Sequence, residues 1–253
     1  MTVQARVILH SCDWDAALFD MDGVLTDTAR LHIDAWKRLF DNFLSRHAAA
    51  SGEALVPFDT RTDYLAYVDG RPREDGVRLF LASRGIKLPE GSETDPDDAE
   101  TIDALSRRKD DMFLHALQAG VDPLPGAEEL LLELRRLGIG TAVVSSSRNC
   151  AAVLEAAGLA QHVDIRIDGL DAIKLGLPGK PAPDLFLEAA RRLNAAPARS
   201  ILFEDALAGV QAGRSAGFGQ VVGVDLSDHA PALLSHGADV VVGDLSDVAV
   251  APD

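Results

Sequence analysis

The stretch ALFDMDGVLTDT, residues 17–28, carries an apolar run to Asp20 and places a second carboxylate, Asp22, just before Gly23. The run at 16–20 predicts a short buried strand, so both carboxylates stand where that strand ends. Like charges about 4 Å apart repel by about 4 kcal/mol at an effective dielectric near 20. A cation, an anionic substrate whose chemistry needs the pair, or plain solvent exposure would offset this cost.

After residue 122 the chain alternates short apolar runs with segments of helical character. One helix is predicted from Glu128 to Arg136, with Gly138 just beyond it. An acid at the start, a base at the end and a glycine after the last residue are typical of a helix. Alternating strands and helices predict an α/β fold, a Rossmann-like parallel sheet that includes the strand at 16–20. Further strands are predicted at 139–145, 163–167, 200–203, 220–224 and 238–242, and further helices at 149–157, 183–193 and 206–216.

The segment between the first strand and this alternating region has a different pattern. It contains helical stretches around 62–68, 74–84 and 101–118, a polar acidic loop at 89–100, and no convincing strand. We therefore predict an all-helical insert at 29–121 within a core formed by 1–28 and 122–253. Apolar residues recur at helical spacing near its start, at Trp36, Leu39, Phe40, Phe43 and Leu44.

Composition limits the classes of partner. Of 253 residues, 47% are hydrophobic, and the formal net charge is −16. A substantial core can form, while the acidic surface argues against nucleic acid and anionic membranes as partners. Two cysteines make no disulfide framework, the N-terminus lacks the apolar centre of a signal peptide, and no apolar run reaches membrane length. These features predict a cytoplasmic protein that acts on a small molecule, with a monomer as the default.

Polar side chains follow the predicted strands, where α/β sheets bind their ligands. Asp20, Asp22, Glu204 and Asp205 are hard oxygen ligands, and Mg²⁺ prefers such donors together with water and phosphate oxygens. A calcium loop is the rival interpretation of DMDG. It fails because that loop needs a third acid before the glycine and Glu at its twelfth position, which here is Leu31.

Phosphate-binding groups follow two other elements. Ser145, Ser146 and Ser147 lie between a strand and a helix, where hydroxyls and free amides suit a phosphate, and Lys180 adds a positive charge. Each group alone is also typical of a polar loop, a solvated charge or a helix cap. Together with the carboxylates they indicate phosphoryl transfer, in which a carboxylate can be the nucleophile and Asp22 can move the proton.

Four segments carry a family resemblance: FDMDGVLTDT, VVSSSRN, GKPAPD and FEDALAGVQAG resemble the signature motifs of the haloacid dehalogenase superfamily of phosphotransferases. The helical insert resembles the small mobile cap of that superfamily, and the resemblance covers about 16–245. It implies Asp20 as the phosphorylated nucleophile and Asp22 as the general acid/base. It also implies Mg²⁺ on Asp20, the backbone carbonyl of Asp22, Glu204 and Asp205, with the transferring phosphate on Ser145 and Lys180.

Within the superfamily the chain is similar to the β-phosphoglucomutases. DGRPREDG, 69–76, matches the mutase segment whose arginine grips the second phosphate, which maps to Arg73. LSRRKDD, 105–111, matches the segment that places a lysine, here Lys109, on the sugar and the hinge. His32, four residues after Thr28, matches a pair that responds to cap closure, and Ser147 and Asn149 match residues that hold phosphate or sugar opposite the metal.

The resemblance therefore implies interconversion of β-glucose 1-phosphate and glucose 6-phosphate, primed by glucose 1,6-bisphosphate. A sugar-phosphate phosphatase on the same scaffold and a non-catalytic phosphosugar sensor are the alternatives, although a sensor has no need of Asp22. The chain departs from the mutase pattern at Asp110, where Asn is frequent, and at Arg148, where a lysine is expected. It also carries the extra loop 89–100. Such a loop can reshape the sugar pocket, so the resemblance does not determine which sugar the protein binds.

Overall fold

The structure, a computed structural model, describes residues 6–52, 54–68, 71, 73–226 and 229–252. The chain divides into two compact units, Met1–Thr28 with Gly120–Asp253 and, inserted between these parts, Ala29–Ala119. That the inserted unit is a cap stays a prediction. Asp69, Gly70 and Pro72 of the segment DGRPREDG lie outside the described residues.

The larger unit contains a six-stranded parallel sheet, which confirms the α/β fold class. Its strand order is β4-β3-β2-β5-β6-β7, so the first predicted strand lies in the middle of the sheet. All residues of β2 and β5 are buried, as expected for parallel strands that are covered on both faces. The strands of this unit are β1 (Val7–His10), β2 (Ala16–Phe19), β3 (Gly140–Val144), β4 (Ile165–Ile167), β5 (Ser200–Glu204), β6 (Gln220–Val224), β7 (Val240–Val242) and β8 (Val248–Ala251).

Helices connect the strands of the larger unit and form the inserted unit. Among the described residues, no helix is both long and apolar enough to cross a membrane. The inserted unit contains α1 (Ala29–Ser51), a π-helical turn (Tyr64–Val68), α2 (Arg73–Ser83) and α3 (Ile102–Leu117), and no strand is found in its described part. The larger unit contains α4 (Ala127–Arg136), α5 (Cys150–Ala156), α6 (Gly169–Leu175), α7 (Asp184–Arg192), α8 (Leu207–Ala216) and α9 (Ala230–His236).

An aromatic cluster forms the core of the inserted unit. Phe40 of α1 is fully buried, and its ring centroid lies 5.1 Å from that of Trp36, 5.2 Å from that of Phe58 and 4.1 Å from that of Phe80. Aromatic rings bury a large area per side chain, so a few of them can hold α1 and α2 together. All five apolar positions that the helical spacing singled out in α1 are buried here.

Three features of the larger unit were not predicted from the sequence. β1 pairs with β8 in a separate two-stranded parallel sheet that joins the two ends of the chain. Helices α6 and α9 were also missed, because both are only seven residues long and show too little periodicity. α6 does carry a local signal, since Asp168 and Asp171 form a reciprocal capping box at its start.

Candidate active site

The strand register brings the predicted acids to one edge of the sheet. Phe19, the last residue of β2, pairs with Val143 of β3 on one side and with Phe203 of β5 on the other. Asp20 and Glu204 therefore stand side by side at the carboxyl edge, as the backbone N–H of Asp20 donates to the Phe203 carbonyl at 2.9 Å. Both carboxylate residues are buried, at 8% and 0% exposure.

Lys180 links the ends of three adjacent strands. Its ammonium donates to Asp20 Oδ1, to Glu204 Oε1 at 2.5 Å and to the Val144 carbonyl at 3.3 Å. The side chain is 9% exposed, and its Nζ lies 4.9 Å from the ring centre of Phe186. Burial opposes the charge, but the two carboxylates outweigh it and raise the pKa of Lys180 above its usual range. Lys180 is therefore a fixed cation at this site.

The site nevertheless holds more carboxyl groups than its single ammonium can partner. Burial raises the pKa of Asp205 to about 9, and repulsion from Glu204 and Asp20 adds to the rise. Burial also raises the pKa of Glu204 to about 7, against the attraction of Lys180. Both acids therefore hold protons more readily than they would in water, and a further cation bound here would favour their ionised forms.

Two glycines let the acids approach the backbone closely. The carboxylate of Asp205 occupies the space where a side chain on Gly23 would begin, and Gly23 has the left-handed φ of 84°. In the same way Glu204 packs into the space above Gly209 in α8, where its Oε2 accepts from the backbone N–H of Ala206 at 2.7 Å. The acids are therefore held against the main chain of the turn after β2 and of the first turn of α8.

We expect Gly23→Ala to lower phosphoryl-transfer activity by more than about tenfold, because the new methyl group would displace the carboxylate of Asp205. The matched control is Gly138→Ala. Gly138 has a similar φ of 76°, but an added Cβ there would meet only open space. Both variants pay about 1–2 kcal/mol for the left-handed backbone, so thermal melts should shift alike while activity falls only for Gly23→Ala. Equal activity losses in the two variants would contradict the role of close approach.

A compact turn orients Asp22. The Met21 carbonyl accepts the N–H groups of Leu25 and Thr26, each at 3.0 Å, so the chain folds back directly after β2. The hydroxyl of Thr28, which is fully buried, donates to Asp22 Oδ1. Thr28 was predicted as a site residue paired with His32, and here it orients Asp22, whose role as proton carrier stays a prediction.

The serine segment after β3 is ordered by its own hydroxyls. Ser145 is buried and accepts the N–H of Ser147 at 3.0 Å, while Ser147 accepts the N–H of Asn149 at 3.1 Å. Because a hydroxyl that accepts a hydrogen bond can still donate its own proton, both side chains can serve an anion. Ser146 is exposed at the tip, and Asn149 directly precedes α5. These hydroxyls could donate to a phosphate group, and their role as phosphate ligands stays a prediction.

The donor chemistry at the strand ends fits Mg²⁺. Asp20, Glu204 and Asp205 offer carboxylate oxygens, and the approach of Asp205 to Gly23 brings it against the backbone that carries the Asp22 carbonyl. A group of three or more acidic, His or Cys side chains already spaced as metal ligands is not found in the described ranges. Lys180 bonds to both Asp20 and Glu204 here. Mg²⁺ needs only one or two carboxylates beside water and phosphate oxygens, so this set is sufficient.

The inserted unit holds the other predicted site residues in one polar cluster. Lys109 is 3% exposed, and its Nζ lies 2.6 Å from Nδ1 of His32, whose ring stacks on Phe113 at 4.1 Å. Arg73 Nη2 lies 2.7 Å from Asp110 Oδ1. Burial, Lys109 and Arg73 together lower the pKa of His32 well below its ordinary value. His32 is therefore neutral and accepts the hydrogen bond from Lys109.

The depressed pKa of His32 predicts an acid-sensitive fold. Below about pH 6.5 this histidine is protonated in the unfolded chain but stays neutral in the folded chain. Because the unfolded state then binds the additional proton, the free energy of unfolding decreases as the pH falls from about 6.5. We expect His32→Asn, which keeps an acceptor, to flatten the pH dependence of the unfolding free energy between about pH 6.5 and 5. Denaturant melts of both proteins across this range would measure it. An unchanged slope in the variant would contradict the assignment of a neutral buried histidine.

The extra loop 89–100 contains neither helix nor strand and is mostly exposed, as predicted. It is nevertheless fixed to α3. Arg107 donates to the carbonyls of Ser92 at 3.0 Å and Asp95 at 2.7 Å, and Arg108 donates to the Ala99 carbonyl at 2.7 Å. The same stretch of α3 thus anchors the loop and supplies Lys109 and Asp110.

Several contacts of the site were not foreseen from the sequence. Gly209, which admits Glu204, could have been found from its place in the first turn of a helix that follows a strand-end acid. The carbonyl of Val144 as a partner of Lys180 has no sequence signal. The Arg73–Asp110 ion pair joins positions that are far apart in the chain, and no sequence signal pointed to it.

Comparisons with known proteins agree on one family. The profile of haloacid dehalogenase-like hydrolases matches residues 14–217. A β-phosphoglucomutase of Mycobacterium bovis is 49% identical over 251 residues, 97% of this chain and 95% of the relative. A phosphorylated carbohydrates phosphatase of Thermotoga maritima is 27% identical, covering 90% of this chain and 94% of its own. The crystal structure of β-phosphoglucomutase from Clostridium difficile has a TM-score of 0.69 and 28% identity, with 92% of each chain covered.

Proposed function

The chain belongs to the haloacid dehalogenase-like hydrolase family, and we infer that its reaction is that of a β-phosphoglucomutase, the interconversion of β-glucose 1-phosphate and glucose 6-phosphate. The observation that carries this is the 49% identity to a β-phosphoglucomutase along nearly the whole of both chains. The carbohydrate phosphatase is far less similar, at 27%. The enzyme is thus an intramolecular phosphotransferase of carbohydrate metabolism. We further propose that it acts as a cytoplasmic monomer.

Asp20 is the proposed nucleophile. Lys180 donates to its Oδ1, so Oδ2 is the oxygen that we assign to the attack on phosphorus. A carboxylate oxygen can form the acyl phosphate that such a transfer requires. Lys180, Ser145 and Ser146 would then donate to the oxygens of the transferring phosphoryl group and offset the negative charge that develops on them.

Asp22 is the proposed general acid/base. The hydroxyl of Thr28 donates to its Oδ1 and thereby fixes the plane of the carboxylate. Asp22 takes the proton from the sugar hydroxyl that attacks phospho-Asp20, and it returns this proton to the sugar oxygen that leaves in the second transfer. Asp22 lies two residues from the nucleophile at the same strand end, which supports this assignment.

Mg²⁺ is the proposed cofactor, held by Asp20, the backbone carbonyl of Asp22, Glu204 and Asp205. When bound it would neutralise phosphate oxygens and lower the barrier to attack by an anionic nucleophile. The excess of carboxylates over Lys180, and the space at Gly23 that admits Asp205, support the assignment.

The proposed cycle starts with Asp20 phosphorylated by glucose 1,6-bisphosphate. The 6-hydroxyl of β-glucose 1-phosphate attacks the phosphorus, its proton passes to Asp22, and the bond to Asp20 breaks. The bisphosphate then presents its 1-phosphate, which Asp20 takes while Asp22 protonates the departing sugar oxygen. Glucose 6-phosphate and phospho-Asp20 remain, so the enzyme is ready for another turnover.

Arg73 and Lys109 are proposed to recognise the substrate, with Arg73 on the phosphate that is not being transferred and with Ser147 and Asn149 on phosphate or sugar. A guanidinium fork binds phosphate oxygens in pairs, which suits this task. His32 bonds to Lys109 within the inserted unit, and it is proposed to keep this lysine in place for the substrate.

We expect Arg73→Ala to lower kcat/KM for β-glucose 1-phosphate by about 10²-fold, because one charge-assisted phosphate contact is lost. Hydrolysis of p-nitrophenyl phosphate, which has no second phosphate, should change little. Arg78→Ala is the matched control, because Arg78 lies in the same helix but bonds to Asp75 and Glu90. Equal losses with both substrates in Arg73→Ala would remove Arg73 from substrate recognition.

A further inference from the structure

The proposed phosphate ligand Arg73 has a carboxylate partner inside its own unit. Arg73 is the first residue of α2, Asp110 lies within α3, and their side chains are 18% and 24% exposed. Nη2 and Oδ1 are 2.7 Å apart, which is the length of a charge-assisted hydrogen bond.

The surroundings of this pair are rich in positive charge. Lys109 lies beside Asp110 in the chain, and both Lys109 and Arg73 are close enough to disfavour protonation of His32. Arg73 also stands at the N-terminus of α2, where the helix dipole favours anions. These positive charges attract an anion, and in the structure the carboxylate of Asp110 neutralises part of them.

We propose, on the basis of the role proposed for Arg73, that Asp110 is an affinity-setting residue that competes with the substrate phosphate for the Arg73 guanidinium. A guanidinium has five N–H donors in a rigid fork, and Asp110 engages the Nη2 edge that a phosphate would also use. While the pair is formed, paired binding by the fork is blocked. The apparent affinity for phosphate falls in proportion to the fraction of molecules in which Arg73 is paired.

A weaker hold of Arg73 on phosphate suits a reaction in which the bisphosphate intermediate must reorient between the two transfers. The bisphosphate carries a phosphate at each end, and each end must in turn leave the group that holds it. Reorientation breaks the contact with Arg73. When the phosphate leaves, Asp110 can pair with the Arg73 guanidinium. This partly buried charge then keeps a partner.

The variant Asp110→Asn removes the negative charge of residue 110 but keeps a side chain of the same shape. Asparagine keeps an oxygen that accepts from Arg73, so the fork stays in place, but the competing negative charge is gone. Asp111→Asn is the matched control, because Asp111 is the exposed next residue of α3 and the variant loses the same charge. Circular dichroism melts check the fold, and Asp110→Ser serves as a second variant if Asp110→Asn melts early.

The test is calorimetric titration of β-glucose 1-phosphate into Asp20→Asn protein, which reports recognition without phosphoryl transfer. Adding Asp110→Asn should tighten binding about three- to tenfold, whereas Asp111→Asn should change it less than about twofold. With Arg73→Ala also present, Asp110→Asn should have no effect. In turnover with Asp20 intact, Asp110→Asn should lower KM without raising kcat.

Unchanged or weaker binding in Asp110→Asn would overturn the proposal, as would the same tightening in the absence of the Arg73 side chain. The proposal would also be overturned if neither β-glucose 1-phosphate nor inorganic phosphate, used as a second probe, bound to any of these variants. Failure of the proposed function is a different result. Wild-type enzyme would then form no glucose 6-phosphate, while the titrations would still decide whether Asp110 competes for Arg73.

Discussion

Asp20→Asn is expected to lower the mutase rate by at least about 10⁴-fold, because the amide cannot form the acyl phosphate through which both transfers pass. Asparagine has nearly the same shape as aspartate, and its carbonyl oxygen can still accept from Lys180. The fold should therefore survive. Glucose 6-phosphate formation from β-glucose 1-phosphate would measure the loss, and mass spectrometry would show whether a phosphorylated protein still forms.

Asp27→Asn is the matched control for this prediction. Asp27 lies in the same segment as the nucleophile but is exposed, so its loss changes the net charge equally and leaves the strand end intact. We expect this control to keep nearly full activity. A rate in Asp20→Asn within about tenfold of wild type would show that another residue carries the phosphoryl group.

Lys180→Met is expected to cost both activity and stability. Lys180 bonds to two buried carboxylates, and removal of one partner from a buried ion pair typically costs about 3–5 kcal/mol of unfolding free energy. Without the ammonium, Glu204 loses the attraction that opposes its burial, so its pKa in the folded protein rises further above about 7. The loss of stability should therefore shrink as the pH falls from the alkaline side towards 7. Activity should fall by about 10³-fold.

Lys174→Met is the matched control, since Lys174 is an exposed lysine of α6. Denaturant melts at several pH values and the mutase assay would compare the two variants. A stability loss below about 1 kcal/mol in Lys180→Met, or one that grows towards acid pH, would contradict the view of Lys180 as the counter-ion of the strand-end acids.

The central sheet could be predicted because its strands are mostly apolar and helices separate them along the chain. β6 was predicted with its observed bounds, Gln220–Val224, and β5 differs only by including Glu204. The acids of the site could be predicted for the same reason, since parallel strands bring their carboxyl ends to one edge. Asp20 and Glu204 do lie side by side there, linked by Lys180.

The parts that could not be predicted depend on long-range contacts. β1 and β8 are four residues each, and their pairing joins segments almost a whole chain apart. The ion pair of Arg73 with Asp110 likewise depends on how α2 packs on α3. Neither periodicity nor a local motif reports such contacts, because each partner alone resembles an ordinary edge strand or surface charge.

A coupled assay of the purified enzyme would test the central claim most directly. β-Glucose 1-phosphate is supplied with Mg²⁺ and a trace of glucose 1,6-bisphosphate, while glucose 6-phosphate and free phosphate are followed in parallel. We predict rapid formation of glucose 6-phosphate with little free phosphate, dependent on Mg²⁺ and on Asp20. Release of free phosphate without glucose 6-phosphate would contradict this account and identify a sugar-phosphate phosphatase instead.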